Sequence, residues 1–541
     1  MNGVRSLLPL LLLSMACGPG TGTLSGKLYG PLGAEVVLQV NGGDDLTVKV
    51  TQSGSPSPYD VTAFTFAKPL ANGLSYAVTL KSQPADQTCV VYAAGTGTVS
   101  ATSSVRVGCE YTAESVARDA DDKKIGTFYD SQSAVVGGAD VSIAGHDIYG
   151  EGRFVAFVSG AKLVGTSGAH RQVYLRDRFE GTLQLLSKSA AGVEGDGDSW
   201  NPAISTDGLS VAFESYATNL VGNDANQVRD VFLFDQHVTP PTLTRISVSD
   251  TGGEFAEASL GPSLDGAGAV VVYETGQKNF PGLNGDGRSA LVRKDLKANV
   301  STIINKDASG KVVDSTKPMI SEDGTRIVFY SYWPLVAGDT NGLWDIFLYD
   351  LNVPGLKRLS LTSSGGERDQ GTESVSRVVS PAISGNGRVV AFASTATNVV
   401  PGDTNGMQDV FVVDTTTGEV TRVSVASDGT QGDTDSPIGQ GERVALSYDG
   451  NLVAFNSNAR TLGVNATTTG LGNAYLHDRR TKKTTPLTNN TKCCSVGPMT
   501  MSREGNYVVF GSSADLDPRF PGSGQFVRFT AVGLAFWWQA D

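Results

Sequence analysis

"VPGDTNGMQDVFVVD", residues 400–414, has a near copy in "VAGDTNGLWDIFLYD" at 336–350. Each copy sets an Asp-Thr-Asn-Gly turn before an alternating run of Val, Ile and Phe that ends in Asp. Asn-Gly is the dipeptide of tight hairpin turns, and the alternating run is a half-buried or buried strand. The acids raise a second reading. Ca²⁺ takes six to eight oxygens, commonly carboxylates and carbonyls around a Gly turn. Asp403, Asn405 and Asp409 have that character, as do Asp339, Asn341 and Asp345. The other repeats break the pattern. "GNDANQVRD" (222–230) lacks the Gly, "GLNGDGRS" (282–289) ends in Ser, and Gln172, Asn473 and Gln525 stand where Asp409 would. Asp, Asn, Gln and Ser all accept a hydrogen bond from a turn N–H. Turn capping is therefore the reading shared by every repeat, with calcium an additional ligand in two of them.

Working outward, a second phrase recurs: Pro-x-Ile-Ser-x-x-Gly-x-x-Val-x-Phe-x-Ser. It stands as "PAISTDGLSVAFES" (202–215), "PMISEDGTRIVFYS" (318–331), "PAISGNGRVVAFAS" (381–394) and "PMTMSREGNYVVFGS" (498–512), with three weaker forms. Its marker glycines are Gly152, Gly208, Gly268, Gly324, Gly387, Gly450 and Gly505, spaced by 56, 60, 56, 63, 63 and 55 residues. Seven repeats of four short strands make an all-β, seven-bladed β-propeller. A single blade cannot bury both its faces, whereas blades in a ring can. The phrase "ATNVVPGDTNGMQDVFVVDTTTGEVTRVSVASDGTQGD" closely resembles the TolB-like, WD-type propeller repeats of exported bacterial proteins. That resemblance covers about 400 residues and implies a ring with protein-binding rims.

Upstream, residues 22–112 read as a small β-sandwich of period-two strands, and 113–125 as a linker to the ring at 126–541. Part of this segment (76–109) resembles modules near the N-termini of bacterial surface lipoproteins. The ring is expected to close by a clasp: Thr127–Tyr129 on the outer edge of the seventh blade, and Val141–Ala144 as the inner strand of the first.

"MNGVRSLLPLLLLSMAC" (1–17) is a targeting segment, too short in its apolar core to span a bilayer. It resembles a bacterial lipoprotein signal, which implies cleavage before Cys17 and lipidation of that residue; an ordinary secretory signal is the alternative. Gly18 after the Cys implies outer-membrane sorting under the enteric rule. Export permits disulfides. Cys89 and Cys109 flank a β-rich stretch and are expected to pair. The adjacent Cys493 and Cys494 form either a vicinal disulfide or two free thiols.

The formal charge of −13 and the lack of a basic face speak against nucleic acid. The densest basic run, "DRRTKKTT" (478–485), falls on a predicted hairpin tip. Asp177, Asp235, Asp295, Asp350, Asp414 and Asp478 recur at the end of each third strand, where Asp caps a turn. There is no Gly-x-Ser-x-Gly elbow, and His146, His170, His237 and His477 fall at non-equivalent repeat positions. No catalytic residue is assigned. The expectation is a monomeric, non-catalytic, envelope-anchored scaffold that binds a protein or a cell-surface glycan. The alternative is an exported lyase or hydrolase with its site at the central funnel.

Overall fold

The computed structural model describes residues 21–51, 60–99, 104–115, 134–137, 152–164, 166–178, 180–277, 289–369, 379–437, 444–463, 472–488, 496–512 and 524–529. The chain divides into two units between Glu110 and Tyr111. Among the described residues the one helix is the 3-10 turn Arg460–Leu462.

In the N-terminal unit the strands alternate as period two requires. Ser25–Gly30 and Glu35–Val40 bury every second side chain. Two four-stranded sheets form, one from Asp60–Thr65, Ser25–Gly30, Ser104–Tyr111 and Gln87–Ala93, the other from Gly43–Lys49, Glu35–Val40, Ser75–Ser82 and Thr96–Thr98. Leu24, Leu28, Val36, Leu38, Val105 and Val107 fill the core between them. Cys89 and Cys109 are disulfide-bonded across neighbouring strands of the first sheet.

The second unit is all four-stranded antiparallel sheets, seven among the described residues. The fifth shows the plan: Ala382–Ile383, Val389–Ser394, Asp409–Asp414 and Val420–Arg422, here lettered A to D. Strands B and C are buried along their whole length, so amphipathic alternation in them would be wrong. Alternation instead sorts side chains between two cores. Val410 and Val412 pack toward the sixth sheet, whereas Phe411 and Val413 pack toward the fourth. Seven such cores join the seven sheets in sequence, and the last joins Tyr507 and Val509 of the seventh to Val155 and Phe157 of the first. Successive A strands touch all the way round, so A is innermost and the ring is closed. The Phe of the anchor phrase stacks on an aromatic of strand C in five sheets, as in Phe392–Phe411 at 5.7 Å between centroids.

The anchor phrase recurs because it builds the A–B turn. The marker glycines all have positive φ, between 67° and 83°, where a side chain is strained. The Ser after the Ile or Leu that ends strand A accepts the N–H that opens strand B, as in Val389 N to Ser384 Oγ at 2.9 Å and Leu452 N to Ser447 Oγ at 3.0 Å.

Ring closure differs from the expectation in its residues. The outer edge of the seventh sheet is Ala113–Ser115, antiparallel to Gly524–Phe529, so part of the presumed linker is a clasp strand. The inner strand of the first sheet is Ala134–Gly137, antiparallel to Phe154–Phe157. Thr127–Tyr129 and Val141–Ala144 lie outside the described residues. A three-residue strand carries too little pattern to stand out from a linker. The seventh repeat also slips by one: Gly524 faces Ser512 as Asp409 faces Ser394, so Gly524, not Gln525, occupies that position.

Candidate functional site

A meander places the A–B and C–D turns on one face of the ring and the B–C and D–A connections on the other. The Asp-Thr-Asn-Gly turns are B–C loops. In each of three sheets an arginine ending strand D reaches into this loop. Arg358 Nη1 lies 2.9 Å from Asp339, 3.5 Å from Asp345 and 3.0 Å from Glu367 of the D–A connection. Arg422 Nη1 lies 3.0 Å from Asp403, 3.2 Å from Asp409 and 2.9 Å from Gln431 Oε1. In the second sheet Arg245 Nη1 lies 3.1, 3.3 and 2.6 Å from Asp224, Asp230 and Glu254. Those three carboxylates stand within 4.8 Å of one another, a set that could hold a metal ion.

The asparagines face elsewhere. Asn405 Oδ1 accepts the N–H of Met407 (3.1 Å), and its Nδ2 donates to Asp409 and to Gly432 O (3.0 Å each). Asn341 Oδ1 accepts the N–H of Leu343 at 3.0 Å. Asp409, Asp345 and Asp230 each accept the hydroxyl of a serine two residues beyond the arginine: Ser424, Ser360 and Ser247. Those hydroxyls in turn accept the N–H of Val410, Ile346 and Val231. Gln172 with Ser187 and Asn473 with Thr488 repeat the pairing in the first and sixth sheets. Burial raises the carboxyls of Asp339, Asp403 and Asp230, and takes Asp224 to about 6 with Asp230 adding to the effect. The Thr340 N–H and then Arg358 hold Glu367 down at about 2.

The six acids that end strand C all accept a turn N–H: Glu180 to Asp177, His237 to Asp235, Ala298 to Asp295, Asn352 to Asp350, Thr416 to Asp414 and Arg480 to Asp478. A cation joins most of them, as Arg326 joins Asp350 at 2.8 Å. In the second sheet the partner is His237, held by Asp235 (2.8 Å) and Asp207 (2.7 Å), which raise its pKa.

On the A–B side, side chains of different sheets meet across the central channel. Backbone hydrogen bonds link successive A–B turns through Thr206, Gly266, Glu322 and, farther round, Asn386, Tyr448 and Arg503. Arg503 of the seventh sheet crosses the axis to Glu322 of the fourth, 3.1 Å away, with its guanidinium 3.9 Å over the Tyr448 ring. Gly385 has room for nothing more: a Cβ there would meet Tyr448 at 2.3 Å and Glu322 at 2.9 Å.

The opposite face carries most of the exposed large apolar side chains of the described ring. Val164, Val193, Tyr216, Tyr332, Trp333 and Met407 lie in B–C or D–A segments, with Tyr216 45%, Tyr332 50% and Trp333 41% exposed. Trp200 packs edge-on against Tyr216 at 5.7 Å, and Trp344 lies 5.9 Å from Tyr332. Two acids nearer the axis are taken up by structure. Glu214 accepts the Gly261 N–H (2.6 Å) and Arg229 (2.8 Å), and Glu274 accepts Thr316 Oγ1 (2.8 Å). Each thereby fastens the inner strand of the next sheet.

The described histidines do not converge. His170 is 3.5 Å from Asp198, His237 sits between two acids on the A–B face, and His477 is buried between the fifth and sixth sheets. The basic run at 478–485 is not only a solvated tip. Arg479, Arg480 and Lys482 line a groove of about 660 Å³ with Glu419 and Asp428. Cys17, His146, Cys493 and Cys494 lie outside the described residues. Among the described residues no helix is long and apolar enough to cross a membrane.

No family model matches this chain, and no curated protein matches it. Among solved structures, it is similar to oligogalacturonate lyase from Vibrio parahaemolyticus (12% identity, 77% of this chain and 96% of that one, TM-score 0.44). The β-propeller domain of the Trilobed protease from Pyrococcus furiosus is similar at 11% identity, over 70% and 92% of the two chains, with a TM-score of 0.42. TolB from Acinetobacter baumannii is similar at 16% identity, over 64% and 82%, with a TM-score of 0.30. None of these assigns a partner or a reaction to this chain.

Proposed function

We propose that this protein is a non-catalytic binding scaffold of the cell envelope, anchored through a lipidated Cys17, which docks a protein or glycan partner on its B–C loop face. The observation that carries the reading is the asymmetry of the two ring faces. On the A–B side Glu322, Tyr448 and Arg503 are engaged with one another across the axis, whereas Tyr216, Tyr332 and Trp333 stand exposed on the other face. Half-exposed Tyr and Trp supply a large rigid contact area at little entropic cost, and they dominate the energetics of protein interfaces. The Asp/Arg clusters below hold the B–C loops in one geometry, which favours a preformed site. The titratable groups point the same way. Glu214 and Glu274 are committed to neighbouring sheets, and the described histidines are scattered.

The test is affinity capture from detergent-solubilised envelopes, with and without proteinase treatment. The wild type should retain a partner that Tyr332→Ala/Trp333→Ala, folded by circular dichroism, loses by tenfold or more. Loss of the partner on proteinase treatment identifies a protein, and survival identifies a glycan. Equal capture by both variants would overturn the assignment of this face.

A further inference from the structure

A calcium ion in a loop of this kind would tie its acids to a neighbouring segment. In three sheets an arginine makes that tie. The same nitrogen, Nη1, meets the two loop acids and the D–A side chain: Asp224, Asp230 and Glu254 around Arg245; Asp339, Asp345 and Glu367 around Arg358; Asp403, Asp409 and Gln431 around Arg422. The other nitrogen, Nη2, donates to a backbone carbonyl, Asn223 O and Gly338 O at 2.8 and 2.9 Å. Carboxylates plus a carbonyl are what a hard cation collects. The asparagine that would complete a calcium set gives its oxygen to a turn N–H instead, so the donors as folded suit a guanidinium and not a metal.

The fine tuning follows the same logic. The fourth sheet adds a second guanidinium, Arg368 Nη2 at 2.9 Å from Asp345. The fifth replaces the D–A acid by Gln431, and the second keeps three acids around one arginine. Within the second cluster Arg245, Asp224 and Asp230 have side chains at most 3% exposed, and Glu254 is 28% exposed.

We infer that Arg245, Arg358 and Arg422 are the built-in cations of these loops, and that each carboxylate cage accepts a divalent cation only once its arginine is removed. These three loops therefore need no calcium, although their sequences are calcium-like. The role is one of positioning: the arginine fixes the B–C loop relative to the D–A segment.

The experiment uses the full chain and Arg245→Ala, with the probes Ca²⁺ and Tb³⁺. Wild type should show no shift in its unfolding midpoint with millimolar calcium or chelator, and no stoichiometric terbium luminescence. Arg245→Ala should unfold several degrees lower, regain at least half of that loss in calcium, and bind one terbium ion, since a ligand of the native state must raise its stability. Adding Asp230→Asn should remove both responses. Arg245→Lys, which keeps a cation, should show neither. A variant soluble only in calcium supports the inference equally. Stoichiometric calcium binding by wild type would overturn it, as would an Arg245→Ala protein that is indifferent to calcium or insoluble with and without it.

Discussion

His477 should make the ring acid-sensitive. It lies on strand C of the sixth sheet, 4% exposed, facing Thr484 in register. Thr484 spends its one hydroxyl hydrogen on Val425 O of the fifth sheet. Its oxygen must then accept from His477 Nδ1, 2.9 Å away, which fixes the neutral Nδ1–H tautomer. Burial pushes the imidazole pKa down to about 4, while the charges beside it, Asp478 and Arg479, act in opposite directions. In the unfolded chain it takes a proton near 6.5. Between those values the unfolded state binds more protons, so stability is complete above about pH 6.5 and is lost as the pH falls toward 4. Linkage over that gap amounts to about 2.5 kcal/mol between pH 7.5 and pH 4.5. The perturbation is His477→Phe, because the second sheet holds Phe234 at the same register, opposite Val211 as His477 is opposite Val453. Urea unfolding followed by the fluorescence of Trp200, Trp333 and Trp344 reports on the ring. Carboxylates titrate alike in both proteins, so the difference of their pH dependences isolates His477. Wild type should lose about 2.5 kcal/mol more than the variant. Parallel pH dependences, or an imidazole that titrates near 6.5 by NMR, would refute the reasoning.

Breaking the cross-axis pair by Glu322→Ala should cost about 1–2 kcal/mol, below the range for fully buried pairs because both groups keep some solvent; a double-mutant cycle with Arg503→Ala measures the coupling. Deleting Ala113–Ser115 should expose the Gly524–Phe529 edge and cost several kcal/mol; hydrogen exchange should show that strand losing protection before strands of the third and fourth sheets. Cys17→Ser should move the mature protein from membrane to soluble fractions, and a wild type already soluble after osmotic shock would contradict the anchor.

The ring was legible because its repeats must solve one steric problem seven times. A positive-φ glycine at the A–B turn and a Phe facing a strand-C aromatic recur, so seven marker glycines count seven sheets. The clasp was less legible, since Ala113–Ser115 is defined by its partner at Gly524–Phe529 and not by any pattern of its own. In the site, the acids of the B–C loops were found and their partners missed. The signal was present: "TRIS" (244–247), "KRLS" (357–360) and "TRVS" (421–424) each put Arg two residues before Ser, 13 to 15 residues after the loop acid they meet. Read together, acid and Arg-x-Ser predict an ion pair in those three sheets. The pair Glu322–Arg503 could not be read this way, because 181 residues separate two side chains whose meeting depends on closure of the ring.

The scaffold reading stands on which face meets the partner. A photo-crosslinking amino acid placed at Trp333 or Tyr216, and separately at Leu351 or Val238 on the A–B side, tests this in intact envelopes. Adducts of defined mass from Trp333 and Tyr216 alone are the predicted result. Adducts from Leu351 or Val238, with none from the B–C face, would contradict it.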